Sequence, residues 1–102
     1  MNQYFNDEYH DNKEQVQRCI EWLSLQTITK GINKYHTSYG YKHMVENWCC
    51  RYISNDSFKE AVYKLGIKYK NNDNKGLNIC VAINETKLQR MLKNNYGRGK
   101  EI

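Results

Sequence analysis

The sequence predicts an α+β fold in one small domain. Three observations carry this expectation. Apolar residues recur at helical spacing up to about residue 65, the period then changes to two, and glycines and capping residues punctuate the change. At 102 residues the chain is long enough for one core and short of what two domains need. Nine Tyr, two Trp and two Phe supply large apolar area in a chain that is otherwise polar, so a folded domain is expected rather than a disordered one.

The elements follow in order. Residues 1–10 show no period and read as a flexible N-terminal arm. Asp11 or Asn12 can cap a first helix, in which Val16, Cys19, Ile20, Leu23 and Thr27 share one face. Gly31 is its expected stop, since glycine tolerates the left-handed conformation that ends helices. Thr37 or Ser38 opens a second helix with the stripe Tyr41, Met44, Val45, Trp48, Cys49 and Tyr52. Asn55 is the expected cap of a third, with Phe58, Ala61, Val62 and Leu65 inward and Gly66 as its stop.

Beyond Gly66, Ile67 and Tyr69 alternate with Lys68 and Lys70. The turn cluster Asn71 to Gly76 follows, and then Leu77, Ile79, Val81 and Ile83 alternate with Asn78, Cys80 and Ala82. This is the pattern of a β-hairpin with one face on the core. Asn84 can cap a C-terminal helix with Leu88, Met91 and Leu92 inward. The expected domain therefore spans residues 11–95, with a flexible basic tail over 96–102. Three helices, a hairpin and a last helix make the arrangement winged-helix-like.

The net charge is +5, and it is unevenly placed. Residues 1–29 hold five carboxylates and two cations, net −3, so the remainder carries +8. A basic body points to an anionic partner, most simply DNA or RNA. Met1 is followed by polar residues, and no apolar run approaches the length of a membrane span. A cytoplasmic protein of a bacterial host is expected, with no membrane partner and four reduced cysteines.

The stretch His43 to Tyr52, HMVENWCCRY, gathers histidine, carboxylate, tryptophan and two cysteines. On a helix Cys50 and His43 lie about 10 Å apart along the axis, too far for proton transfer. Adjacent Cys49 and Cys50 cannot both reach one tetrahedral metal from a regular helix, and Cys19, Cys80, His10 and His36 fall at no ligand spacing. Packing is the expected role, with His43 and Glu46 on the solvated flank and no metal or cofactor. Asp73 with Glu85 and Lys87 faintly matches the D…ExK pattern of metal-dependent nucleases. Glu85 and Lys87 fit better as the first residues of a helix, and no enzyme is expected.

In a winged-helix arrangement the third helix would present Ser57, Lys59, Glu60, Tyr63 and Lys64 to a DNA groove. The hairpin would bring Lys68, Lys70 and Lys75 to phosphates. Asp56 and Glu60 oppose this by placing negative charge on the reading face.

Ser38, Tyr39, Gly40, Lys42, His43 and Glu46 form an S-Y-G-x-K-H-x-x-E run, and Tyr52, Asn55, Phe58, Ala61, Gly66 and Lys70 continue it. Over this third of the chain, Ser38 to Lys70, the sequence resembles small proteins carried by phages, plasmids and integrative elements of low-GC Gram-positive bacteria. The resemblance implies a regulator or an inhibitor of host defence, anti-CRISPR proteins included. It marks Tyr39, Lys42, His43 and Glu46 as a recognition surface. The leading expectation is a non-enzymatic inhibitor of a nucleic-acid-processing host defence complex, such as a Cas effector, acting through its basic surface. The alternative is a winged-helix-like DNA-binding regulator, possible as a homodimer.

Overall fold

The computed structural model describes residues 12–96; the expected arm over residues 1–10, the Asp11 cap and residues 97–102 of the tail lie outside them. The fold is α+β. Helix α1 (Asn12–Ser24) leads to strand β1 (Ile28–Asn33), helices α2 (Ser38–Cys49) and α3 (Asn55–Leu65), strands β2 (Tyr69–Asn71) and β3 (Ile79–Ile83), and helix α4 (Glu85–Met91). A π-helical turn, Leu92–Tyr96, extends α4, one residue beyond the expected domain edge. The strands form one antiparallel sheet in the order β1-β3-β2.

Strand β1 departs from the sequence reading. The first helix does not run to Gly31; it stops at Ser24, where Leu25 and Gln26 donate to the carbonyls of Trp22 and Leu23 in a closing turn. Thr27, Ile28 and Thr29 are β-branched and favour an extended chain. Strand β3 supplies the ladder partner that settles the competition. Ile28 pairs with Ile83 and Asn33 with Val81, so five steps of β1 answer two of β3. The surplus is taken up as a bulge between Ile28 and Asn33. There the Thr29 hydroxyl donates to the Gly31 carbonyl (2.8 Å) and Lys68 Nζ to the Lys30 carbonyl (3.0 Å).

The third helix is capped one residue earlier than expected. Ser54, not Asn55, is the N-cap, and its hydroxyl accepts from the Ser57 amide at 3.0 Å. Asn55 instead donates to the Leu77 carbonyl and the Asn78 side chain, tying the helix start to the hairpin. Gly66 ends the helix as expected, at φ 69°, and the Ile67 amide reaches back to the Val62 carbonyl. Asn84 caps α4 through the Lys87 amide, also as expected.

The core lies between the helices and one face of the sheet. Trp22, Tyr41 and Phe58 meet at its centre with ring centroids 5.5 to 6.3 Å apart, and Tyr41 stacks on Phe58. Val16, Leu23, Val45, Ile53, Val62, Ile79, Val81, Ile83 and Leu88 close around them. Buried Gln15 accepts from the Ser54 amide and the Ser57 hydroxyl, joining α1 to the start of α3. Strand β3 is buried on both faces, not on one: Cys80 and Ala82 are buried as Ile79, Val81 and Ile83 are. Leu77 and Leu65, expected inward, are exposed.

Two glycines separate the observed fold from a first helix ending at residue 31. Gly31 has no left-handed backbone and open space where a Cβ would stand, whereas Gly66 has positive φ. Gly31→Ala is expected to be neutral or stabilising by up to about 1 kcal/mol, and Gly66→Ala to destabilise by about 1 kcal/mol. Urea denaturation of the two variants checks this.

Candidate functional site

The S-Y-G-x-K-H-x-x-E residues do converge, but on each other. Lys42 and Glu46, expected at the surface, are 8% and 6% exposed. Their i,i+4 spacing brings Lys42 Nζ to Glu46 Oε2 at 3.1 Å. The same oxygen accepts the Ile53 amide at 3.0 Å, and Oε1 faces His43 Nδ1 at 2.9 Å. Lys42 Nζ also lies 5.5 Å from the Tyr39 ring centroid and 5.2 Å from that of Tyr52. The chain after α2 turns back over this face through Cys50, which is left-handed at φ 60°. That return buries the pair. Tyr39 and His43 stay exposed, in edge-to-face contact at 4.6 Å. Ser38 belongs to the scaffold too: its buried hydroxyl accepts the Ile79 amide, fastening α2 to β3.

The lysines divide into two sets. Lys59 is not free to enter a groove, because its Nζ donates to the Gly76 and Leu77 carbonyls at 3.1 and 3.0 Å. Lys64 stands 3.9 Å from Glu60. Exposed Asp56 and Glu60 leave α3 with a mixed surface. The sheet is different. Lys70 pairs across the ladder with Cys80, and Tyr69 with Val81. Tyr69 therefore lies on the helix side, where it meets Tyr63, and Lys70 on the open side. There Lys70 and Lys34 line a cleft with Ile32, Asn71, Asn72 and Cys80. Lys68 reaches the β1 bulge beside them, and Lys75 is exposed in the hairpin turn. Lys34 was not among the expected residues; its place depends on β1.

A second polar cluster was also missed. Glu85 accepts from His36 Nε2 (2.8 and 3.1 Å), Asn33 Nδ2 (2.9 Å) and Gln89 Nε2 (2.9 Å). Burial pushes its carboxyl pKa up, but the hydrogen bonds from Asn33, Gln89 and His36, and the His36 charge, outweigh this and hold it below the ordinary glutamate value. The cluster clips the β1–α2 loop to the start of α4. It also removes Glu85 from the D…ExK reading. Asp73 sits in the turn before β3, where it accepts the Leu77 amide, and Glu85 follows the other end of that strand. A five-residue strand separates them by roughly 17 Å, too far to share a metal.

Among the described residues no group of three His, Cys, Asp or Glu side chains could hold a metal ion, and no helix is long and apolar enough to cross a membrane. All four cysteines are free thiols, and burial pushes those of Cys19 and Cys49 up. No family model, curated protein or solved structure matches the chain.

Two variants probe these clusters. Glu46→Ala leaves a buried ammonium and a buried amide without their acceptor, and a loss of about 3 kcal/mol or more in unfolding free energy is expected. Glu85 has a folded-state pKa below its unfolded value near 4.5, so its contribution is present above that pH and is lost as pH falls through the folded value. Glu85→Gln should thus be less stable than wild type at pH 7, with the gap closing below pH 4.5 in thermal melts.

Proposed function

We propose that the protein is a non-enzymatic nucleic-acid-binding domain of winged-helix type, a DNA-binding regulator in its simplest form. One observation carries the reading: the element order α1–β1–α2–α3–β2–β3 combined with the sheet order β1-β3-β2. A helix pair followed by a hairpin, with the hairpin's return strand paired to a strand between the first two helices, supports the reading of a helix-turn-helix with a wing. It sets α3 beside the β2–β3 hairpin, and Asn55 and Lys59 lock the two together. The lysines at 34, 68, 70 and 75 then make a phosphate-binding flank. The reading is one of contact to the backbone more than to bases, since α3 offers Asp56 and Glu60 and its Lys59 is engaged.

That acidic helix face also favours a second reading. An exposed surface with both signs suits a protein partner as well as DNA. The protein would then be a phage or mobile-element inhibitor that occupies the nucleic-acid-processing complex of a host defence system, anti-CRISPR in type. Recovery of a stoichiometric protein partner from nuclease-treated host lysate, with no affinity of the pure protein for DNA, distinguishes it.

For the leading reading, Lys68→Ala with Lys70→Ala is expected to weaken duplex binding and to lower the magnitude of the slope of log K against log salt by about 1.8, two phosphate contacts at about 0.9 each. Fluorescence anisotropy across a salt series measures both. An unchanged slope takes the hairpin lysines out of the interface.

A further inference from the structure

Lys34 and Lys70 are brought to one cleft on the open face of the sheet with no carboxylate in its lining. Asn33 pairs with Val81, which faces the core, so alternation sends Ile32 and Lys34 to the opposite face. Cys80 and its ladder partner Lys70 point the same way. Since β3 is the middle strand, the two lysines approach Cys80 from its two sides. They line a cleft of about 220 Å³ with Ile32, Asn72 and the nearly buried Cys80. The Cys80 thiol donates to Asn72 Oδ1 at 3.6 Å, so the Asn72 amide keeps its N–H groups for the cleft.

Neither lysine has a carboxylate partner among the described ion pairs. Asp73, next along the chain from Asn72, accepts the Leu77 amide and is not part of the lining. Lys68 is not part of it either; its ammonium is bonded to the Lys30 carbonyl. Two cations lining one cleft repel each other, and an anion between them relieves the repulsion. The class of anion follows from the charge. Two ammoniums and a neutral amide donor match an oxyanion with close to two negative charges. A phosphodiester carries one, whereas a terminal phosphate carries about −1.5 to −2 near pH 7.

We propose that the open face of the sheet carries a site for a terminal phosphate group, held by Lys34 and Lys70 with Asn72 as a neutral donor. This deepens the nucleic-acid reading and rests on it only for the source of the phosphate, a strand end. The test uses the full chain and two double variants. Lys34→Gln with Lys70→Gln removes the site; Lys13→Gln with Lys93→Gln removes the same charge elsewhere, and all four lysines are exposed. In amide NMR spectra, inorganic phosphate added at constant ionic strength should move Lys70, Asn72 and Cys80 along a saturable curve. The first variant is expected to weaken this binding by about 10-fold, and the second to leave it as in wild type. A 5′-phosphorylated duplex should bind more tightly than the same duplex with 5′-hydroxyl ends, a preference lost in the first variant only. Saturable phosphate binding without duplex binding supports the site, assigns it to a small phosphorylated molecule and overturns the nucleic-acid reading. Duplex binding that ignores the end group, with no saturable effect of phosphate, overturns the site and leaves that reading standing. Equal losses in the two double variants overturn the site in favour of net charge alone. Binding of neither phosphate nor duplex overturns both.

Discussion

The Glu46 carboxylate holds the corner on which the rest of the molecule turns. It accepts from a side chain on its own helix, Lys42, and from the Ile53 amide of the chain that leaves it. His43 occupies its second oxygen. The α2 helix ends in a left-handed residue, Cys50, whose amide returns to the Glu46 carbonyl at 2.7 Å. After such a turn the next amides have no helical acceptor, and burying them unpaired would cost about as much as a lost hydrogen bond. Glu46 satisfies the Ile53 amide and Gln15 that of Ser54. The direction of α3 follows from those two bonds. The position of the hairpin follows from α3, through Asn55 and Lys59.

A buried charge pair is seldom the most stabilising way to fill a core, since desolvation offsets much of the attraction. Its value here is geometric. An apolar pair at 42 and 46 would bury well, but would leave the Ile53 amide without an acceptor and the corner without a preferred angle. The rings of Tyr39 and Tyr52 lower the cost of burying the ammonium by facing it. This accounts for several of the residues shared with the S-Y-G-x-K-H-x-x-E pattern without any ligand: Ser38, Lys42 and Glu46 act on the scaffold. Tyr39 and His43 are the two that also reach solvent.

Helix α3 was legible because its signals are local. Phe58, Ala61, Val62 and Gly66 state the face and the stop within one short segment, and the hairpin after it is equally self-contained. Strand β1 was not legible, because its evidence is remote. Val16 to Thr27 keep a helical period past the true end at Ser24, Gly31 imitates a helix stop, and the ladder partner that decides otherwise stands some fifty residues later. The same separation hid the His36–Glu85 contact and the place of Lys34 beside Lys70. For Lys42 and Glu46 the spacing was visible and the burial was not, since burial depends on Tyr52 and Ile53 folding back across them. Lys59 is a similar case: its charge is plain in the sequence, and its use as a brace to the hairpin turn is not.

These placements redistribute the charge that the composition announces. Lys42 and Lys59 are neutralised or engaged inside the fold, Lys64 is balanced by Glu60, and Asp56 stands exposed on the same helix. Around the hairpin, by contrast, Lys34, Lys68, Lys70 and Lys75 are exposed with no carboxylate partner among the described ion pairs. On the nucleic-acid reading the strongest attraction is therefore toward the hairpin side and not along α3. A phosphate-directed interaction of this kind gains its affinity from counterion release, discriminates poorly among sequences and weakens steeply with salt.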